Sequence, residues 1–368
     1  MDKAFLVLAD GMTLEGQAIG KKGTTTGELC FNTGMTGYQE IYSDPSYFGQ
    51  IIVNTNTHIG NYGVLEQENE SAKAQISGMV CTTFSSSYSR FTADNSLQNY
   101  LENNEIVAIA NIDTRALVKH LRQKGAMNAI ISSEILDIEV LKKQLHQTPT
   151  MLGMELSSQI STKTPYFYGN ENAKLKVAVV DLGIKTNILR NFEKRNIFAK
   201  VFPAKTSFEE MEKFNPDGYF ISNGPGDPAS MPYAIETVKK ILKANKTLFG
   251  ICLGHQLLAL ANGISTYKMT NGHRGLNHPV KNIITNQCEI TSQNHGFGVS
   301  EFDVAKSNIV EITHLNLNDN SIEGLRIKGK QAFSVQYHPE SSPGPNDSVY
   351  LFDEFVALLN DKNRKVFG

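Results

Sequence analysis

Two short segments of this sequence hold residues able to do covalent chemistry. Phe249-Gly250-Ile251-Cys252-Leu253-Gly254-His255-Gln256 contains the pattern Gly-x-Cys-x-Gly. At a strand-to-helix junction this pattern presents a nucleophile on a sharp turn. A cysteine at a helix N-terminus faces the positive end of the helix dipole, which favours thiolate, the reactive form. Free cysteines are commonly buried packing residues, but the paired glycines favour the elbow reading. Cys30, Cys81 and Cys288 lack such a setting and are read as structural.

A nucleophilic thiol needs a base, and the base needs a partner that fixes its tautomer. Val335-Gln336-Tyr337-His338-Pro339-Glu340 offers both. Residues two apart on an extended segment point to one side, and Pro339 disfavours helix at His338. Taken alone the segment reads more readily as a surface turn than as a catalytic pair; beside the elbow it completes a Cys-His-Glu set. His255 reads as a core or supporting residue. His273, His278 and His295 are assigned to loops bordering the site, and the remaining histidines have no evident context.

The second half must position these groups. Leu175–Asp181, Phe198–Phe202, Tyr219–Ile221, Thr247–Ile251 and Gln331–Val335 read as strands. Helices are expected over about 185–194, 233–244 and 253–261, with another opened by a Ser207/Glu210 capping box. This alternation predicts an α/β fold with a doubly wound, mostly parallel sheet. Ligands of such sheets lie outside the carboxyl ends of the strands, where Cys252 falls. The first half is less regular: Phe5–Leu8 and Ile51–Val53 read as strands and 114–123 as a helix, giving a mixed α/β N-terminal domain. The polar segment 161–174, with Pro165 and Gly169, reads as a linker between domains at 1–160 and 175–368.

At 368 residues two domains are expected. The net charge of −2 offers no basic field for nucleic acid or an anionic membrane. Four widely spaced cysteines without a CxxC pair predict neither a zinc site nor a disulfide framework. No secretory signal and no apolar run of about 18 residues is present, so a cytoplasmic protein is expected. No GxxxxGK[ST] phosphate loop is present either.

Cys252–Gln256 and His338–Glu340 resemble the class I (triad) glutamine amidotransferases, and Ser222-Asn-Gly-Pro-Gly-Asp-Pro228 resembles that family's oxyanion loop. Phe31–Glu40, Asp44–Tyr47, His58–Asn61 and Ile112–Arg115 resemble the N-terminal domain of the carbamoyl-phosphate synthetase small-subunit family. Gly272–Gly275, Asn277–Val280, Gln293–Phe297 and Ser342–Pro345 fit the same family, with Leu276 standing where it often has glycine. The resemblance implies Cys252 as nucleophile, His338 as base and acid, and Glu340 as its orienter. Backbone N–H groups of Gly226 and Leu253 would form the oxyanion hole. Gly224, Gln256, Asn294, Gly296 and Phe297 would hold glutamine, joined by Ser46 of the first domain, and Lys185 would lie at the domain junction. It further implies a large partner subunit that uses ATP and Mg, with no cofactor or metal on this chain. As bare composition, Asn223–Gly226 and Asn294–Gly296 are ordinary turns, and Ser46 and Lys185 ordinary surface residues. Other readings are a different triad amidotransferase, a non-catalytic regulatory subunit, or a hydrolase of peptides or esters.

Overall fold

A computed structural model describes residues 2–361. The chain divides into two compact units, Met1–Met151 and Leu152–Gly368. Among the described residues no helix is long and apolar enough to cross a membrane.

The first unit is built on a closed barrel of β1 (Lys3–Leu8), β2 (Thr13–Gly20), β3 (Thr24–Asn32), β4 (Gln50–Asn54), β5 (Gly78–Val80), β6 (Val107–Ala110) and β7 (Met127–Ser132), in the order β1-β2-β6-β5-β4-β3-β7. Antiparallel pairing of β7 with β1 closes the ring and removes the exposed edges an open sheet would leave. Side chains alternate along each strand. Leu29, Ile51 and Ile109 join Leu117 and Leu121 of helix α1 (Thr114–Lys124) in one apolar cluster. Their neighbours Cys30, Ile52 and Ala108 face a second cluster with Tyr38, Tyr42 and Leu101. The helix expected over 114–123 is therefore present, and Asp113 caps it by accepting from the Ala116 amide at 2.9 Å.

The second unit contains a ten-stranded sheet, formed by β8 (Tyr166–Tyr168), β9 (Leu175–Asp181), β10 (Ile197–Pro203), β11 (Gly218–Ile221), β12 (Thr247–Ile251), β13 (Thr266–Asn282), β14 (Cys288–Val299), β15 (Val310–Asn316), β16 (Ile322–Ile327) and β17 (Ala332–Val335). Their order is β8-β10-β9-β11-β12-β17-β16-β15-β13-β14. The five central strands, β10 to β17 in that order, are parallel. Helices α3 (Thr186–Lys194) and α6 (Tyr350–Asn360) cover one face through Ile188, Phe192, Phe352 and Phe355. Helices α4 (Pro232–Lys243) and α5 (Leu253–Ala261) cover the other through Val238, Ile241, Leu253 and Leu257. β9 feeds both cores in alternation: Val177 and Val179 to the first, Ala178 and Val180 to the second. A strand buried on both faces needs such a continuous apolar run.

Two sequence expectations change. Segment 161–174 is not a free linker: Tyr166–Tyr168 pairs antiparallel with β10, the Ser161 hydroxyl accepts from the Ala204 amide, and the division between units falls earlier. An edge strand of three residues is too short to announce itself by periodicity. The sheet also carries a large antiparallel wing, β16-β15-β13-β14. Most of β13 and β14 reads as polar loop because glycines, Pro279 and two register shifts interrupt the alternation.

Candidate active site

The parallel register brings distant residues together. Gly250 of β12 pairs with Ile221 of β11 on one side and with Ser334 of β17 on the other, and Ile251 pairs with Val335. The oxyanion-type loop, Cys252 and the His338 segment therefore leave the same edge of the sheet. The Cys252 amide donates to the Val335 carbonyl at 2.9 Å.

Cys252 has φ +53° and ψ −101° and is nearly fully buried. A side chain in this region is strained and persists only where its surroundings over-determine it. The two flanking glycines supply that determination by close approach. A Cβ on Gly254 would lie 2.3 Å from the Ile221 carbonyl oxygen, and one on Gly250 would lie 2.8 Å from the Gly254 carbonyl. Neither glycine has positive φ; the strained conformation belongs to the cysteine itself. Leu253 opens α5, and the first amides of a helix have no acceptor within it.

His338 Nδ1 donates to Glu340 Oε1 at 2.7 Å, both side chains being buried. Burial pushes the imidazole pKa down. The Glu340 charge and the proximity of Cys252 outweigh it, raising the pKa to about 10, which favours the cationic ring. For Glu340, burial pushes upward, but the Lys185 and His338 charges bring the carboxyl down to about 2. The Lys185 ammonium donates to the same Oε1 at 2.8 Å and also to the Ser341 carbonyl. Asn187 donates to the Glu340 carbonyl.

This placement of Lys185 is the main feature missed in the sequence. The residue is buried at the N-cap of α3. A cation there opposes the helix dipole, which signals a nearby carboxylate. Its loop is stitched by Asp181, which accepts from the Gly183 and Ile184 amides, and by Asn223, which accepts from the Lys185 amide.

Gly224 and Gly226 shape the adjacent loop. A Cβ on Gly224 would stand 2.0 Å from the Leu182 carbonyl oxygen. Gly226 has φ +99°, and a Cβ would lie 2.7 Å from the Met154 carbonyl oxygen. The expected glutamine-holding residues Asn294, Gly296 and Phe297 are inside β14, not in a turn. That strand folds back over the site: the Ser292 carbonyl accepts from the His338 amide at 2.9 Å, and the Asn294 carbonyl lies 3.5 Å from Cys252 Sγ. Gln256 Nε2 donates to the Phe297 carbonyl and to Gln336 Oε1, at 2.9 and 3.0 Å. Both of its N–H groups are thus engaged.

Ser46 belongs to the first unit. It lies in the turn Pro45–Tyr47, and its amide donates to Asp44 at 2.9 Å. It is buried, not a surface residue. His255 is also buried; its Nδ1 pairs with the Ser334 hydroxyl, and burial lowers its pKa to about 3. His273, His278 and His295 are strand residues of β13 and β14, not loop residues. Burial raises the Cys81 thiol to about 12, which suits a packing residue.

A strained cysteine at the head of a helix, beside an imidazole paired with a carboxylate on a parallel sheet, defines a class-I glutamine amidotransferase, and residues 178–358 match that family. Residues 6–131 match the carbamoyl-phosphate synthase small chain, CPSase domain. The carbamoyl phosphate synthase small chain of Synechococcus sp. is 47% identical, covering 98% of this chain and 94% of its own length. Those of Chlorobaculum tepidum and Syntrophotalea carbinolica are 48% and 46% identical, covering 97% and 100% of both chains respectively. The chain belongs to the carbamoyl phosphate synthase small chain family, and its class-I domain is the glutamine-hydrolysing component.

Proposed function

We propose that Cys252 attacks the side-chain amide of glutamine and that His338 handles both proton transfers. The thiolate adds to the amide carbon, and the carbonyl oxygen becomes an oxyanion facing the Gly226 and Leu253 amides. Each preset donor of this kind is typically worth about 3–4 kcal/mol, because it needs no reorganisation as charge develops. Cationic His338 protonates the departing nitrogen, which leaves as ammonia, and a γ-glutamyl thioester remains. Neutral His338 then takes a proton from water as the water attacks. Glutamate departs and the thiolate–imidazolium pair is restored. Glu340 keeps the ring oriented throughout.

The observation that carries this reading is the buried His338, its Nδ1 donating to Glu340 at 2.7 Å and its pKa raised to about 10 by Glu340 and the neighbouring Cys252. Gln256, Asn294, Gly296, Phe297 and Gly224 are assigned to holding glutamine. In neutral water free ammonia becomes unreactive ammonium, so a sheltered transfer to a companion chain is required. The relatives' name, small chain, supports a large companion. We assign ATP and Mg binding and carbamoyl phosphate formation to that companion, and cytoplasmic operation to the pair.

The decisive experiment is Cys252→Ser in the assembled enzyme. Glutamine-dependent synthesis should vanish while added ammonia still supports it. Surviving glutamine-dependent turnover would remove Cys252 from its role.

A further inference from the structure

Beyond the triad, β13, β14 and β16 converge on a second buried cluster of ligating groups. One atom each from His273, His295 and Glu323 lies within 4.8 Å of the others, and all three residues are buried. The two imidazoles meet edge to face with centroids 4.9 Å apart. His273 Nδ1 is 3.4 Å from Glu323 Oε1. Glu323 is fully buried; its Oε1 accepts from Asn316 Nδ2 at 2.8 Å, an amide that also lies 3.4 Å from His273 Nδ1, while its Oε2 lacks a hydrogen-bond partner. A buried carboxylate oxygen left in this way costs free energy unless something positive reaches it.

The outer nitrogens of both rings are already held. His273 Nε2 meets the Asp319 carboxylate at 2.9 Å, and His295 Nδ1 donates to the Phe297 carbonyl at 2.8 Å. Metal-ligating histidines characteristically have their other N–H fixed by a carboxylate or backbone carbonyl, which turns the second nitrogen toward the ion. His295 Nε2 lies 3.0 Å from Gln293 Oε1. That amide orientation is set by Thr291: Gln293 Nε2 donates to the Thr291 hydroxyl, which itself donates to the His278 carbonyl. Both ring nitrogens of His295 thus face oxygen acceptors, and only one of them carries a proton in the neutral ring. A cation at Nε2 resolves that opposition.

We propose that His273, His295 and Glu323 form a binding site for a divalent transition-metal ion of the zinc class, with Gln293 Oε1 available as a fourth donor. Two imidazoles and a carboxylate are a recognised zinc donor set. Asp319, partly exposed beside His273, marks the side from which an ion enters. An ion there ties β13, β14 and β16 together behind Asn294 and Phe297. The site is independent of how glutamine is cleaved.

The test uses the full-length chain carrying Cys252→Ser and Cys288→Ser, so that neither the site thiol nor the exposed Cys288 thiol competes for metal. After chelator treatment, zinc is returned and bound metal is measured by elemental analysis and calorimetry. We expect one equivalent to bind, to raise the thermal unfolding midpoint by mass action on the folded state, and to be lost in Glu323→Gln. Asp319→Asn alters a partly exposed outer partner and should weaken binding about 10–100-fold without unfolding the chain. Cobalt(II) in place of zinc should give a visible spectrum of nitrogen and oxygen ligation. Failure of the parent to bind zinc or cobalt stoichiometrically overturns the proposal. So does binding indifferent to both substitutions.

Discussion

Lys185 Nζ and Glu340 Oε1 lie 2.8 Å apart in a buried pair, and that one oxygen also accepts from His338 Nδ1. The carboxylate thus sits between two cations, which explains how it stays ionised without solvent. Its charge in turn keeps the imidazole cationic.

Lys185→Met should therefore be costly. Removing one partner of a buried pair leaves an uncompensated charge, typically worth roughly 3–5 kcal/mol, reduced here by what His338 still offers. Urea unfolding should show a lower midpoint, and glutamine hydrolysis should fall as well. A stability change indistinguishable from zero would mean that the ammonium does not sustain the carboxylate.

Glu340→Gln keeps the shape and removes the charge that orients and stabilises the imidazolium. In a nucleophile–histidine–carboxylate set the comparable change costs up to about 10⁴-fold in kcat. The expected outcome is a large loss in kcat with a small change in KM, read from steady-state glutaminase kinetics. An effect confined to KM would place Glu340 in substrate binding instead.

The same pair makes stability depend on pH with a definite sign. His338 is raised from its ordinary 6.5 to about 10, so its contribution is complete below 6.5 and is lost as pH climbs through 10. Glu340 is lowered from 4.5 to about 2, so its contribution is complete above 4.5 and is lost as pH falls through 2. The stability difference between the native chain and a His338→Asn, Glu340→Gln double variant should be largest between pH 4.5 and 6.5. It should narrow toward either extreme. A difference that grew from pH 6.5 to 10 would contradict the charge states assigned to the pair.

Gly254→Ala tests the elbow as a packing device. The new methyl would meet the Ile221 carbonyl oxygen at 2.3 Å, and backbone cannot swing aside as a side chain can. A loss of about 1–3 kcal/mol or more is expected, together with loss of glutamine hydrolysis. Gly263→Ala is the control: its φ is +80° but nothing lies within 4 Å of the added carbon. Only the left-handed strain of about 1–2 kcal/mol should appear there, with hydrolysis retained. Equal activity in both variants would show that the close approach at Gly254 is dispensable.

Gln256→Ala removes the donors to the Phe297 carbonyl and to Gln336. A rise in KM of about 10-fold or more is expected, with kcat falling less, since the change loosens β14 rather than the triad. A fall in kcat alone would assign Gln256 to the chemical steps.

Local pattern determined much of this protein. The compact apolar runs at Leu175–Asp181 and Thr247–Ile251, the Ser207 cap and the Gly-x-Cys-x-Gly turn are short-range features, and each appears as expected. The motifs around Cys252, His338 and Glu340 were legible for the same reason, because Gly-x-Cys-x-Gly and His-Pro-Glu each lie within a few residues. What only the tertiary structure decided depends on strand register and on burial. The wing formed by β13 and β14 mixes half-exposed polar residues with buried ones such as His273 and His295, so no alternation marked it as strand. Lys185 looked like a solvated lysine until β9 and β17, separated in the sheet by β11 and β12, brought it to Glu340. Whether a charge is exposed or buried against its partner is set by the packing of distant segments, and no window of neighbouring residues contains that information.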